Sequence, residues 1–215
     1  MVGKLVASAA ASYMLGSLNL SWWLGRKTGH DMKKEGSKNA GASNALLLIG
    51  KYAFFAVLFA DMFKSWLCWK LTELFVPEAS FAGVFGGFWC TMGHVFPVFL
   101  HFNGGKGFAC LGGMIMAYSP WLFLIQLALA WVIALATHYL CFASTTAPVI
   151  FAAVYWYGMK DIPGTFLIGV IAAVMIAKHI ENFRRIPLGT EAKMSYIFNK
   201  NKELERLGYG DQIKK

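Results

Sequence analysis

Apolar residues run in long blocks along this chain, and the breaks between the blocks carry most of its information. Setting apolar runs against polar breaks predicts seven spans, at about residues 5–25, 46–72, 81–101, 107–119, 121–141, 146–158 and 164–180. Some fall short of the roughly 20 residues that a spanning helix needs, or are interrupted. The expected fold class is therefore an all-α integral membrane protein of about seven transmembrane helices. It forms one polytopic domain over 1–215, with a basic tail from about 192 lying on the membrane surface. The run LVASAAASYML after Lys4 also suits a signal peptide, but apolar character continues through Trp22, Trp23 and Leu24, past an ordinary h-region.

Composition agrees. The chain is 57% hydrophobic, 16% aromatic and only 14% charged, where soluble domains carry about 25% charged residues. Mean hydropathy is +0.51. The breaks differ in charge: residues 26–44 hold Arg26, Lys27, Lys33, Lys34 and Lys38, whereas 73–80 holds Glu73 and Glu78 and no lysine or arginine. From Lys178 to Lys215 there are nine Lys or Arg. The positive-inside tendency places the 26–44 loop, the 101–107 loop and the tail in the cytoplasm, with the N-terminus outside. The net charge of +9 is then a topology signal and a means of holding anionic headgroups or substrates. Nucleic acid is a poor partner, because the basic residues flank spans and form no stripe interleaved with exposed aromatics.

The cysteines Cys68, Cys90, Cys110 and Cys141 form no CxxC pair and read as buried thiols. Cys90 and His94 sit at i,i+4 with His101 following, yet no carboxylate or second cysteine joins them, so no metal is expected. Asp61 and Lys64, at i,i+3 inside the second span, read as a structural ion pair.

Three polar clusters fall on the inner side. The first, GSKNAGASN at 36–44, precedes an apolar run. Its small residues expose backbone amides, and Ser37, Asn39, Ser43 and Asn44 add side-chain donors for an anion. Taken by itself the stretch also suits a helix N-cap at Ser43 or Asn44. The second, GHVFPVFLHFNGGKGFAC at 93–110, sets Gly104, Gly105 and Gly107 around Lys106. Glycine amides and an ammonium are phosphate chemistry, although Leu100 and Gly107 depart from the nucleotide P-loop pattern. The third, KHIENFRRIPLGTE at 178–191, puts His179 and Asn182 on one helical face with Arg185 continuing it. His179 can act as base, donor or orienter.

In this order, GSLN at 16–19, GSKNAGASN at 36–44, ADMFKSW at 60–66, GHVFPVFLHFNGGKG at 93–107, and KHIENFRR with GTE at 178–191 resemble the bacterial acyl-phosphate:glycerol-3-phosphate acyltransferase family, the PlsY type. The resemblance implies transfer of a fatty acyl group from acyl phosphate to the sn-1 hydroxyl of glycerol 3-phosphate. The product is lysophosphatidic acid, in phospholipid biosynthesis. It implies a multi-pass protein of the bacterial inner membrane, monomeric, with the active site facing the cytoplasm and no cofactor. It assigns catalytic positions to Ser37, Lys106, His179 and Asn182. Substrate contacts would come from Gly36, Asn39, Gly41, Ser43, Asn44, His94, Gly104, Gly105, Gly107, Arg185 and Glu191.

The chain departs from that family at several points. Lys38 stands for a glycine, Ser43 for a threonine, and Leu47 for an arginine that would contact phosphate. Two other readings remain open to the sequence. A small transporter for phosphorylated anions could use the same glycine loop and lysines, but the chain lacks internal repeats and all three clusters lie on one side. A diverged, non-catalytic relative is favoured only by Leu47.

Overall fold

The computed structural model describes residues 1–194 and 200–208, all helix, turn and loop. In chain order the helices are α1 (Val2–Ser17), α2 (Leu20–Thr28), α3 (Ala42–Leu48), α4 (Lys51–Phe75), α5 (Ala82–Val95), α6 (Phe108–Tyr118), α7 (Pro120–Thr137), α8 (Leu140–Met159), α9 (Ile162–Arg185) and α10 (Lys200–Arg206), with a 3-10 turn at Val98–Leu100. Among the described residues, four stretches are long and apolar enough to cross a membrane: Ala82–Leu100, Pro120–Thr137, Leu140–Met159 and Ile162–Arg185. Part of the tail expected at the membrane surface, residues 195–199 and 209–215, lies outside the described residues.

Two predicted spans are broken. The 5–25 run divides at Leu18–Asn19, because Asn19 caps α2: its Oδ1 accepts Trp22 N at 2.8 Å while its Nδ2 donates to Ala40 O at 2.9 Å. Asn19 thereby ties the start of α2 to the first polar cluster. The 46–72 run divides at Gly50, whose φ of +135° is open to glycine alone. The 146–158 run is longer than its apolar pattern suggested. It extends back to Leu140 through Thr145 and Thr146, whose hydroxyls bond to backbone carbonyls one turn earlier and so hide their polarity.

Close helix crossings rest on small residues. A Cβ on Gly93 of α5 would stand 2.1 Å from Tyr13 O of α1, and one on Gly113 of α6 would stand 2.0 Å from Met62 O of α4. Such contacts let backbones approach where lipid offers no hydrophobic drive for helices to associate. Leu111 and Met114 of α6, Phe151 and Tyr155 of α8, and Ile168, Ile171 and Met175 of α9 fill the main core. Phe55, Phe59 and Phe63 of α4 and Trp121, Ile125 and Val132 of α7 point outward, an arrangement suited to hydrocarbon.

The ends of the bundle are polar and differ. At one end Asp161 accepts Ser80 Oγ at 3.0 Å, Tyr155 OH at 2.8 Å and Gly164 N at 3.1 Å, pinning the α4–α5 and α8–α9 turns together. Lys4 pairs with Glu78 at 3.3 Å there. The opposite end collects the 29–41 loop, the 96–107 loop and the chain beyond α9.

Candidate active site

The glycine loop is shaped by what lies behind it. Gly104 N donates to Val95 O and Gly105 N to His94 O, both at 3.1 Å. A Cβ at Gly104 would stand 2.1 Å from His94 O, and one at Gly105 would stand 2.0 Å from His94 Nε2. These two glycines are therefore required by the close approach of the α5 terminus. Their amides donate to it, so within this structure both are hydrogen-bonded inside the protein. The amides of Lys106 and Gly107 take no partner among the described residues. Gly107, at φ +88°, turns the chain into α6.

His94 is also a scaffold. It is 3% exposed, and its Nδ1 lies 3.1 Å from Lys64 Nζ and 3.3 Å from Asp61 Oδ1. Lys64 pairs with Asp61 at 2.7 Å and donates to Gly16 O and Leu18 O, each at 3.0 Å, closing the end of α1. The pair predicted from i,i+3 spacing is present, and it is wired to the glycine loop through His94. Donor atoms of Asp61, His94 and Cys110 lie within 4.8 Å of one another, so, contrary to the expectation from sequence, a carboxylate and a cysteine from other helices do join His94. The Lys64 ammonium already supplies the positive charge in that cluster.

Lys106 and Asn182 join the second and third clusters: the Lys106 ammonium donates to Asn182 Oδ1. The other end of the same amide, Nδ2, donates to Glu191 Oε1 at 2.6 Å, and Glu191 Oε2 accepts Arg185 Nε at 2.8 Å. Burial pulls Lys106 down to about 8 from 10.5; the Glu191 carboxylate works against that, and Arg185 and Lys178 work with it. Lys106 thus titrates near neutrality while remaining a cation at pH 7. His179 Nδ1 lies 2.7 Å from Met175 O. A carbonyl only accepts, so Nδ1 carries the proton, and in the neutral ring Nε2 keeps a lone pair. His179 is 4% exposed and Asn182 8%.

The first cluster divides into scaffold and surface. Asn44 is fully buried; its Nδ2 donates to Met32 O and Glu35 O at 3.0 and 3.1 Å, and its Oδ1 accepts Ser37 N at 2.8 Å. Asn44, expected at the substrate, thus has an internal structural role in this loop. A Cβ at Gly36 (φ +58°) would stand 2.3 Å from Asn44 Oδ1, so this glycine is fixed by the same arrangement. Gly41 is buried, is the N-cap residue of α3, and its carbonyl accepts Ser21 Oγ at 3.3 Å. Ser37, Asn39 and Ser43 remain partly exposed. Leu47 is 4% exposed and belongs to the interior. Lys38 is exposed, at φ +56°, and its ammonium has no partner among the described residues. The 29–41 loop is tied to the 96–107 loop by Lys33 Nζ, which donates to Leu100 O at 2.5 Å. That link had no signal in the sequence beyond a loop lysine.

A model of the family described as glycerol-3-phosphate acyltransferase matches residues 6–189. The chain belongs to the glycerol-3-phosphate acyltransferase family. A glycerol-3-phosphate acyltransferase of Symbiobacterium thermophilum is 31% identical over 195 residues, covering 90% of this chain and 96% of its own. One from Streptococcus pyogenes is 30% identical over 216 residues, covering 94% and 99%. The crystal structure of PlsY (YgiH), an integral membrane glycerol 3-phosphate acyltransferase, in its glycerol 3-phosphate form, superposes with a TM-score of 0.83 at 28% identity over 90% of this chain and 97% of that one. Its lysophosphatidic acid form gives 0.79 at 29% identity over 88% and 94%. The acyltransferase resemblance drawn from the five motifs therefore holds across nearly the whole chain.

Proposed function

We propose that this protein transfers a fatty acyl group from acyl phosphate to the sn-1 hydroxyl of glycerol 3-phosphate, releasing lysophosphatidic acid and phosphate. The observation that carries the reading is the Lys106–Asn182–Glu191 relay, beside a histidine with a free Nε2, in a chain that superposes on relatives solved with glycerol 3-phosphate and with lysophosphatidic acid.

An acyl phosphate is a mixed anhydride with a good leaving group, so no covalent acyl-enzyme is needed. The sn-1 oxygen attacks the carbonyl carbon, the bond from that carbon to the phosphate oxygen breaks, and the electron pair leaves with phosphate. Lys106 and the amides of Lys106 and Gly107 serve a phosphoryl group or the developing oxyanion. Asn182, fixed at both ends, holds Lys106 in register, while Ser37, Asn39 and Ser43 offer side-chain donors from the neighbouring loop. His179 Nε2 orients the hydroxyl or takes its proton, which a substrate phosphate can also accept. Lys38 is placed on the same loop as an exposed ammonium for substrate phosphate, where the family arginine is replaced by Leu47.

We read the chain as one domain of seven spans, formed by α1 and α4–α9, in the bacterial inner membrane. Support comes from the chain path: Lys4 meets Glu78 at one end and the chain leaves α9 at the other. With the basic loops cytoplasmic, the site faces glycerol 3-phosphate in the cytoplasm and acyl donor in the leaflet, and a single copy holds every group invoked. Purified protein in lipid, given labelled glycerol 3-phosphate and palmitoyl phosphate beside Lys106→Ala, tests the reading. Lysophosphatidic acid from the wild type alone is the expected result. Folded wild-type protein that makes none would favour a non-catalytic relative.

A further inference from the structure

Beyond α9 the chain turns at Thr190, whose N donates to Arg185 O at 3.1 Å, and crosses to the α7–α8 turn, where Met194 N donates to His138 O at 2.8 Å. Between these two anchors sits Glu191, the carboxylate that holds both Asn182 and Arg185. Nothing in the crossing segment itself fixes the backbone of residue 191. That is done from α10. Arg206 Nη1 donates to Gly189 O at 2.5 Å and Nη2 to Glu191 O at 2.6 Å. Arg206 is held in turn by Glu203, which accepts Nε at 3.0 Å and Nη2 at 2.5 Å. Glu203 Oε1 also accepts Lys193 N at 2.7 Å, and Glu203 is 4% exposed. An exposed Arg–Glu pair on one helix is ordinarily worth little. Here the guanidinium fork spans two carbonyls, one on Glu191 itself, while its carboxylate partner grips the backbone two residues further on.

We propose that Arg206 is a positioning residue for acyl transfer: by fixing the backbone of Gly189 and Glu191 it keeps the Glu191 carboxylate on Asn182, and so keeps Asn182 Oδ1 against the Lys106 ammonium. The inference rests on the acyltransferase reading above. It goes beyond the family match, which ends at residue 189 and includes neither Glu191, Glu203 nor Arg206.

The pH profile distinguishes positioning from mere support of the fold. Lys106 is faced by Glu191, Asn182, Arg185, Lys178, His179 and Cys141. Among these Glu191 is the carboxylate that favours the ammonium, against burial and the two cations. A Glu191 that swings away leaves Lys106 easier to deprotonate, so the falling alkaline limb of activity moves to lower pH.

The experiment is lysophosphatidic acid formation from palmitoyl phosphate against pH, for wild type, Arg206→Ala, Glu191→Gln and the double variant, each in lipid and corrected for folded protein. Arg206→Ala is expected to lower kcat about ten- to a hundredfold, the scale of a small misplacement of reacting groups. Its alkaline limb should move down in the same direction as that of Glu191→Gln, and the double variant should go no further than Glu191→Gln alone. Where Arg206→Ala does not fold, Arg206→Lys, which cannot span both carbonyls and Glu203 together, should show the same downward shift at smaller size. An unshifted limb in the folded variant, with or without loss of active protein, overturns the proposal. A wild type that makes no product sinks the activity itself, and this inference with it.

Discussion

The Lys106 ammonium rests on Asn182 Oδ1, a contact between residues 76 positions apart. It joins a glycine loop between α5 and α6 to the last turns of α9. Because Asn182 Nδ2 is bound to Glu191 at 2.6 Å, the amide cannot rotate without breaking both contacts. The cation is therefore positioned by a neutral group and balanced by a carboxylate behind it, which on the proposed acyl-transfer reading leaves its positive charge for a substrate phosphate.

That arrangement fixes a pH dependence. Burial lowers Lys106 to about 8, so the ammonium is present below that value and is lost as pH rises through it. Activity should fall on the alkaline side with a midpoint near 8, read as the initial rate of lysophosphatidic acid formation from about pH 6 to 9.5. Lys106→Arg, cationic throughout that range, should lower kcat yet abolish this limb. A limb that persists in Lys106→Arg would assign it to another group.

The glycine loop gives a steric prediction. Gly105→Ala must displace either the loop or the His94 ring, which lies 2.0 Å from the new Cβ and is held by the buried Asp61–Lys64 pair. A shift near 1 Å is worth about a hundredfold in rate, so Gly105→Ala should lose about that much kcat while keeping its fold. Gly112→Ala, whose nearest neighbour would be Phe123 at 3.6 Å, should turn over like wild type. Equal activity in the two variants would remove the steric account.

What the sequence made legible follows from how local each signal is. Apolar runs located the long helices, since burial in lipid needs only length and composition. They missed the breaks at Asn19 and Gly50, where one residue redirects the chain inside an apolar stretch. The residue types of the candidate site were visible: the structure brings Lys106 onto Asn182, with His179 three residues earlier on the same helix. Their partition into substrate-facing and scaffold groups was not visible. Asn44, His94, Gly104 and Gly105 carry the chemistry of ligands, and only the three-dimensional contacts reveal the internal hydrogen bonds that each also makes. Arg206 had no signal at all, because a basic tail reads as topology and solvation until its guanidinium is seen on the Glu191 carbonyl.

The buried ion pair gives a stability prediction. Lys64→Met leaves the Asp61 carboxylate without its ammonium, and the carbonyls of Gly16 and Leu18 without a donor. Removing one partner of a buried pair costs about 3–5 kcal/mol, which thermal unfolding in detergent should register as a large fall in midpoint. Asp61→Leu combined with Lys64→Met should recover part of the loss. Recovery will be incomplete, because the end of α1 still lacks its cap. Should Lys64→Met unfold like wild type, the pair would not be holding α1, α4 and α5 together.

His179 is where the proton's path can be decided. Its Nδ1 is spent on Met175 O at 2.7 Å, which presents Nε2 as an acceptor without further rearrangement. A base in that position contributes about a hundred- to ten-thousandfold, so His179→Ala should lower kcat on that scale with a smaller change in KM for glycerol 3-phosphate. His179→Gln separates orientation from proton transfer: its amide can accept a hydrogen bond from the hydroxyl but cannot take the proton. Recovery in His179→Gln would make the ring an orienter and leave proton removal to a substrate phosphate. Equal loss in both variants would make Nε2 the base. Near-normal turnover in His179→Ala would take the residue out of the chemistry and leave its contact with Met175 as packing.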